Sequence, residues 1–117
     1  MKKLGISDLY ASPVFLTAAG SVHGYDVADP NRINPDLGTE ADFQELAAAL
    51  RKYNMGLIQD FVPNHMAYDQ RNGMLMDILE NGESSRFFRF FDIQWDHPRE
   101  DLQGKILAPF LGKSYDA

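Results

Sequence analysis

The sequence predicts an α/β fold in which two parallel strands are connected through a long loop and one helix. Residues 57–62, LIQDFV, form a mainly apolar run typical of a strand, and residues 6–11, ISDLYA, are also β-prone. Between them, apolar side chains recur at the spacing of one helix face, at Phe43, Leu46, Ala47 and Leu50. Strand, loop, helix and strand in this order make a βαβ unit, whose two strands run parallel.

The first predicted strand ends before Pro13, because proline cannot donate a hydrogen bond to a strand ladder. Residues 14–38 are rich in glycine, proline, asparagine and aspartate, which predicts one long connection. Long structured loops in compact domains tend to carry function. Residues 21–26, SVHGYD, are therefore expected to contribute to a site.

The predicted helix begins after Thr39, which is expected to cap it together with Asp42 three residues later. Asn54 or Gly56 is expected to end it, so that the second strand follows directly. Beyond residue 65, a short helix is predicted over residues 74–80 and a turn or second helix over residues 84–91. Residues 92–95 and 105–110 are predicted as two short extended segments.

Residues 86–91, RFFRFF, place four phenylalanines within five positions. They form either a packing wedge or a surface on which sugar rings stack, and packing is the favoured interpretation.

Charge and composition exclude several classes of protein. Eleven basic and seventeen acidic side chains give a net charge of -6, which disfavours binding to nucleic acid or to an anionic membrane. The absence of cysteine excludes disulfides and thiolate catalysis, and is compatible with a reducing compartment. Because neither a secretory signal nor a membrane span is recognisable, we expect a cytoplasmic protein.

The polar residues after the two strands predict a binding site, since carboxyl ends of neighbouring parallel strands open into one crevice. This brings His23, Tyr25 and Asp26 towards Asn64 and His65. A tyrosine ring can stack on a pyranose while an aspartate accepts hydrogen bonds from its hydroxyls. The alternative is structural: Tyr25 plugs the edge of the core and Asp26 caps a turn.

Asp60 lies in an otherwise apolar run, so its carboxylate must be hydrogen-bonded or paired. Asp60 is either an acid, a base or an orienting group beside His65, or a member of a network that holds the loop. Six residues could converge on a metal ion, but their spacing matches no metal-binding motif. The sequence therefore predicts neither a metal nor a cofactor. The six residues are His23, Asp26, Asp29, Asp60, Asn64 and His65.

Residues 60–65, DFVPNH, resemble the first signature region of the α-amylase superfamily. Residues 4–13, 20–27 and 32–38 are similar to one family within it, the maltooligosyltrehalose synthases, and the likeness continues in residues 77–82, 84–86, 90–93 and 107–112. The resemblance implies a partial (β/α)8 TIM barrel containing the second and third strands. It implies two segments: residues 1–66 as partial catalytic barrel, and residues 67–117 as an excursion of the same domain with helices and short strands.

The resemblance also implies an activity, the conversion of the reducing-end α-1,4 linkage of a maltooligosaccharide into an α,α-1,1 linkage. His23, Tyr25, Asp26 and His65 would bind the sugar, and Asp60 with Asn64 would support the strand end. None of these residues is the nucleophile. In this superfamily the two catalytic carboxylates, about 5 Å apart in retaining enzymes, belong to the fourth and fifth strands.

The resemblance places those two strands outside this chain, so we expect the isolated chain to be inactive, a fragment of the enzyme. The alternatives are a non-catalytic module that binds maltooligosaccharide and a module that completes another barrel. Exposed strand edges also predict self-association.

Overall fold

The computed structural model describes residues 1–107 of the chain. Four strands and two helices follow in the order β1 (Asp8–Ala11), β2 (Phe15–Thr17), β3 (Val27–Ile33), α1 (Glu40–Lys52), β4 (Gly56–Gln59) and α2 (Gly73–Asn81). Short 3-10 helices cover Lys2–Leu4, Gly82–Ser84 and Glu100–Leu102. The chain divides into two compact units, Met1–Asn72 and a second unit that begins at Gly73.

In the first unit, β1 and β4 form the predicted parallel pair. Leu9 lies opposite Leu57 and Tyr10 lies opposite Ile58. Because successive side chains of a strand point to opposite faces, Leu9 and Leu57 share one face and Tyr10 and Ile58 share the other. Both leucines are half-buried, whereas Tyr10 and Ile58 are 64% and 53% exposed. The βαβ prediction is confirmed, and one face of this sheet is open in the described part of the chain.

The strand bounds differ from the prediction. The first strand begins at Asp8 instead of residue 6, and the second ends at Gln59 instead of residue 62. Asp60 therefore lies immediately after β4 and not inside the strand. Its N–H still donates to the carbonyl of Ala11 at 2.8 Å, which extends the pairing by one bond.

Helix α1 begins as predicted. The backbone N–H of Asp42 donates to the Thr39 hydroxyl oxygen at 3.2 Å, and the backbone N–H of Thr39 donates to the Asp42 carboxylate at 2.7 Å. This reciprocal pair satisfies two donors that a helix start leaves without partners. The helix ends at Lys52, and Asn54 has a φ of 49°, the left-handed conformation that stops a helix.

The long connection predicted over residues 14–38 is wrong, because it contains an antiparallel hairpin of β2 and β3. The register shifts twice along the pair, between Phe15 and Leu16 and between Leu16 and Thr17, so the pairing is irregular. Pro30 lies inside β3 and cannot donate to the ladder, and Asp29 accepts a hydrogen bond from the Asn31 N–H at 2.9 Å. The turn-forming residues that predicted a loop are thus accommodated in an irregular strand.

Polar side chains buried in the first unit are hydrogen-bonded there. Asn34, 8% exposed, donates through its side chain to the Thr17 hydroxyl at 3.3 Å. Asn72 is fully buried and donates to the Ala67 carbonyl at 3.0 Å. These bonds offset the cost of removing the two amides from water. The apolar residues buried around them are Pro13, Leu16, Val27, Ala28, Leu50 and Ala67.

In the second unit, α2 confirms the helix predicted over residues 74–80. Phe87, Phe88 and Phe90 contact aromatic neighbours. Phe87 lies edge-on to Phe90 with ring centroids 5.3 Å apart, and Phe88 stacks on Trp95 with ring centroids 5.5 Å apart. These contacts agree with the packing interpretation. Residues 92–95 form no strand, and residues 105–107 are irregular; the rest of the second predicted extended segment lies outside the described residues.

No helix within residues 1–107 has the length and apolar content needed to cross a lipid bilayer.

Candidate functional site

The candidate site is built on residues 18–26, the loop that connects β2 and β3 and that we call the site loop. Its ends are joined by the Ala18 N–H, which donates to the Asp26 carbonyl at 3.0 Å. Inside it, the Ser21 hydroxyl donates to Oδ1 of Asp26 and accepts from the Gly24 N–H at 3.3 Å. One oxygen of the half-buried Asp26 is therefore held by the loop itself, and its orientation is set.

Gly24 anchors the site loop against the segment that follows β1. Its φ of +84° is a left-handed conformation, and a Cβ placed on it would lie 2.9 Å from the backbone oxygen of Pro13. Only glycine combines this φ with such a close approach at little cost. The close approach at Gly24 is therefore to the protein's own backbone.

Tyr25 and Asp60 connect the site loop to the carboxyl end of β4. The Tyr25 hydroxyl donates to Oδ2 of Asp60 at 2.8 Å. The sequence predicts that the Asp60 carboxylate is hydrogen-bonded or paired, and this bond is such a partner. It also confirms that the loop and the end of the second parallel strand lie together, as expected from the arrangement of parallel strands.

Hydrogen bonding at Asp60 shifts three ionisable groups. The bonds from Tyr25 and then Tyr10 hold the pKa of the Asp60 carboxyl below its ordinary value. The same carboxylate raises the pKa of both tyrosine hydroxyls. Asp60 is consequently ionised at neutral pH, so it is an acceptor of hydrogen bonds and not a proton donor.

The two histidines present opposite hydrogen-bonding character. Nδ1 of His23 accepts from the Tyr25 N–H at 3.0 Å, so the neutral ring carries its proton on Nε2. Nδ1 of His65 lies 2.8 Å from the side-chain oxygen of Asn64, which can only accept, so this ring carries its proton on Nδ1. Both side chains are exposed. Nε2 of His23 is therefore a hydrogen-bond donor, and Nε2 of His65 is an acceptor. This combination suits a hydroxyl group, which can both accept and donate a hydrogen bond.

The predicted residues are thus brought together in two groups. In the first group, His23, Tyr25 and Asp26 share the site loop, the His23 and Tyr25 rings stack with their centroids 6.0 Å apart, and Tyr25 bonds Asp60. In the second group, Asn64 and His65 bond each other. Within residues 1–107, no three histidine, aspartate, glutamate or cysteine side chains come together as metal ligands. The histidine and aspartate candidates named for a metal in the sequence analysis therefore form no such group.

Sequence reasoning missed two residues of this network, Tyr10 and Ser21. Tyr10 is the third residue of a four-residue strand, and only the β1–β4 register shows that its face is shared with the end of β4. Ser21 lies in the same motif as Asp26, but its bond to that carboxylate depends on how the loop closes. A signal for Ser21 existed, because serine and aspartate side chains often bond within tight loops.

Comparisons with known proteins agree on one family. A family model described as the catalytic domain of alpha-amylase matches residues 1–112. A Mycobacterium tuberculosis protein described as a "Putative maltooligosyl trehalose synthase" is 43% identical over 115 residues, which are 97% of this chain and 14% of that protein. Alpha-amylase 2 of Dictyoglomus thermophilum is 35% identical over 85 residues, or 73% of this chain and 14% of that protein.

Solved structures give the same result. A "hypothetical maltooligosyl trehalose synthase" of Sulfolobus tokodaii is 46% identical with a TM-score of 0.75, over 79% of this chain and 13% of that one. The maltooligosyltrehalose synthase of Arthrobacter ramosus is 38% identical with a TM-score of 0.74, over 80% of this chain and 13% of that one. The chain spans 14% of the length of the first curated relative.

Proposed function

Because the chain belongs to the α-amylase family, we propose that it forms part of a maltooligosyltrehalose synthase and that its site loop binds the maltooligosaccharide. The likeness to solved enzymes confirms the predicted fold class, part of an α-amylase-type barrel. Among residues 1–107, the two parallel strands do not close a barrel. The reaction proposed for the whole enzyme converts the reducing-end α-1,4 linkage into an α,α-1,1 linkage.

The observation that carries the proposal is the 2.8 Å bond from the Tyr25 hydroxyl to Asp60. It holds an aromatic ring at the carboxyl ends of the parallel strands, where ligands of such folds bind. Beside the ring, Asp26 has one oxygen held by Ser21, so the other is an acceptor for a sugar hydroxyl. An aromatic ring next to oriented polar groups is a combination suited to a pyranose, which has an apolar face and a polar rim.

We propose a binding and supporting role for these residues, not a catalytic one. Cleavage of a glycosidic bond requires a carboxylic acid that is still protonated near neutral pH, and such acids have a raised pKa. The pKa of Asp60 is shifted the opposite way by its two tyrosine partners. Asp60 is therefore not proposed as the acid. The inactivity proposed for the isolated 117-residue chain rests on the family resemblance, which places both catalytic carboxylates on the fourth and fifth barrel strands.

Titration calorimetry of the chain with maltopentaose tests the proposal. We expect measurable binding, and we expect Asp26→Ala to weaken it about tenfold, the effect of one lost hydrogen bond to a charged group. Asp36→Ala is the matched control, because Asp36 is an exposed aspartate outside the site loop. A folded chain that binds no maltopentaose contradicts the proposal, and loss of reducing ends on incubation contradicts the expected inactivity.

A second candidate function is a module that completes the barrel of another chain. The observation that favours it is the exposed face of the β1–β4 sheet, which carries Tyr10 and Ile58. Co-purification with a partial barrel, without binding of maltopentaose, would favour this candidate.

A further inference from the structure

Oδ1 of Asp26 faces two polar groups of the site loop. The Ser21 hydroxyl donates to it, and Nδ1 of His23 lies 3.7 Å away, beyond hydrogen-bonding distance. His23 uses that nitrogen for the backbone instead, because Nδ1 accepts from the Tyr25 N–H at 3.0 Å. Ser21 therefore holds the oxygen that a protonated His23 would attract.

The titratable side chains that contact His23 within residues 1–107 are both on the site loop. They are Asp26 and Tyr25, whose ring centroid lies 6.0 Å from that of His23. From outside the loop, the Asp60 carboxylate bonds the Tyr25 hydroxyl, and the segment after β1 on which the loop packs contributes Pro13, which has no charge. Asp26 is thus the carboxylate placed to pair with His23.

A proton on Nδ1 of His23 would change two interactions of the loop. Nδ1 would become a donor, so the Tyr25 N–H would lose its acceptor. The charged ring would be drawn to Oδ1 of Asp26, because an opposite charge this close favours the protonated form. The aromatic ring and the carboxylate that are proposed to bind the sugar would both be displaced.

We infer that Ser21 is a positioning residue of the proposed sugar site, which keeps His23 neutral by holding Oδ1 of Asp26. This role rests on the proposed function and goes beyond setting the orientation of one carboxylate. While the hydroxyl occupies Oδ1, that oxygen stabilises a charged His23 less, and Nδ1 stays the acceptor of the Tyr25 N–H. Ser21 itself accepts from the Gly24 N–H at 3.3 Å, so the loop backbone holds the hydroxyl in place.

Ser21→Ala tests the inference, because it removes the hydroxyl and leaves Oδ1 of Asp26 to His23. At about pH 6.5, ring-nitrogen NMR should show the ratio of charged to neutral His23 rings rising about two- to fivefold, the range for an exposed ion pair. His97 is the internal reference, because its Nδ1 accepts from the Arg99 N–H at 3.1 Å in the same way. No carboxylate of residues 1–107 lies within ion-pair distance of that ring, so its ratio should not change.

Affinity for maltopentaose should also fall in Ser21→Ala, by about three- to tenfold at neutral pH. The loss should be larger at about pH 5.5, where more of the His23 rings are charged. Ser21→Thr keeps the hydroxyl and should restore both the affinity and the ratio. Ser84→Ala is the control: Ser84 is an exposed serine of the second unit, and neither measurement should change.

The unchanged chain gives a measurement that does not depend on the folding of any variant. Near neutral pH, its ring-nitrogen signals should show the proton of His23 on Nε2, and a proton on Nδ1 would contradict the bond from the Tyr25 N–H. On acidification, the Tyr25 amide signal should shift together with the His23 ring, and an unmoved amide would contradict the inference.

The outcomes separate the inference from the proposed function. If the unchanged chain binds maltopentaose and Ser21→Ala binds it equally well, the inference is wrong and the proposed function stands. If the unchanged chain does not bind, the proposed function fails, and the His23 ratio still decides whether the hydroxyl keeps that ring neutral. A loss of affinity with an unchanged His23 ratio also contradicts the inference, because Ser21 would then act without His23.

Discussion

Three side chains at the site are each oriented by one hydrogen bond and keep a second polar atom that can bond a ligand. Asp26 accepts from Ser21, His23 accepts from the Tyr25 N–H, and His65 donates to Asn64. Held side chains lose little rotational freedom when a ligand binds, which lowers the entropic cost of binding. The identities of Asp26 and of both histidines as candidates came from the sequence, but the bonds that orient them depend on the folded loop.

Gly24→Ala should destabilise the chain more than Gly20→Ala. Both positions have a left-handed backbone, with φ values of +84° and +75°, which costs an alanine about 1–2 kcal/mol. Only at position 24 does the new Cβ meet an atom, the Pro13 oxygen at 2.9 Å, and overpacking adds about 1–3 kcal/mol. Urea unfolding of the two variants measures the difference, and equal losses of stability would contradict the close approach.

At the scale of the element, helix α1 was predicted closely and the hairpin of β2 and β3 was not. The helix follows from local features, because its cap and its apolar stripe lie within fourteen consecutive residues, Thr39 and Glu40–Lys52. The hairpin joins a strand of three residues to one interrupted by Pro30. Short strands with bulges owe their stability to pairing with a partner, which local composition does not reveal.

Thr39→Ala should cost about 0.5–2 kcal/mol, because the N-cap oxygen for the Asp42 N–H is lost. Thr39→Ser keeps that oxygen and is the control. The bonds from Thr39 lower the pKa of the Asp42 carboxyl below its ordinary value of 3.8. Their stabilising effect is therefore complete when the pH lies above 3.8, and it is lost as the pH falls through the lowered pKa. The difference in stability between Thr39→Ala and the unchanged chain, measured by thermal unfolding, should therefore narrow in acid. A constant difference would contradict the 2.6 Å bond from the Thr39 hydroxyl to the Asp42 carboxylate.

At the scale of the whole molecule, the first unit contains two separate two-stranded sheets. The strands of the parallel sheet have no further partner among residues 1–107, and its open face carries Tyr10 and Ile58. Open strand edges beside apolar surface favour association with other chains. The predicted boundary between residues 66 and 67 and the cytoplasmic location both stay predictions.

Self-association of the chain should be concentration-dependent and should weaken in Ile58→Lys. A lysine on the open sheet face places a charge where a second copy would pack, and burying an unpaired charge is costly. Leu37→Lys is the control, because Leu37 is 63% exposed and lies outside the sheets. Sedimentation velocity over a range of concentrations measures the effect. A chain that stays monomeric at every concentration would contradict the prediction.

The sequence alone determined the α/β class, the parallel βαβ unit and the start and end of α1. It also determined the candidate residues of the site loop. These features depend on periodicity, capping and turn residues, which act between near neighbours along the chain. Only the tertiary structure decided the β2–β3 hairpin, the end of β4 before Asp60, and the bond of Tyr25 to that carboxylate. Those features depend on pairing register and on contacts such as Tyr25 to Asp60, 35 residues apart, which no local pattern encodes.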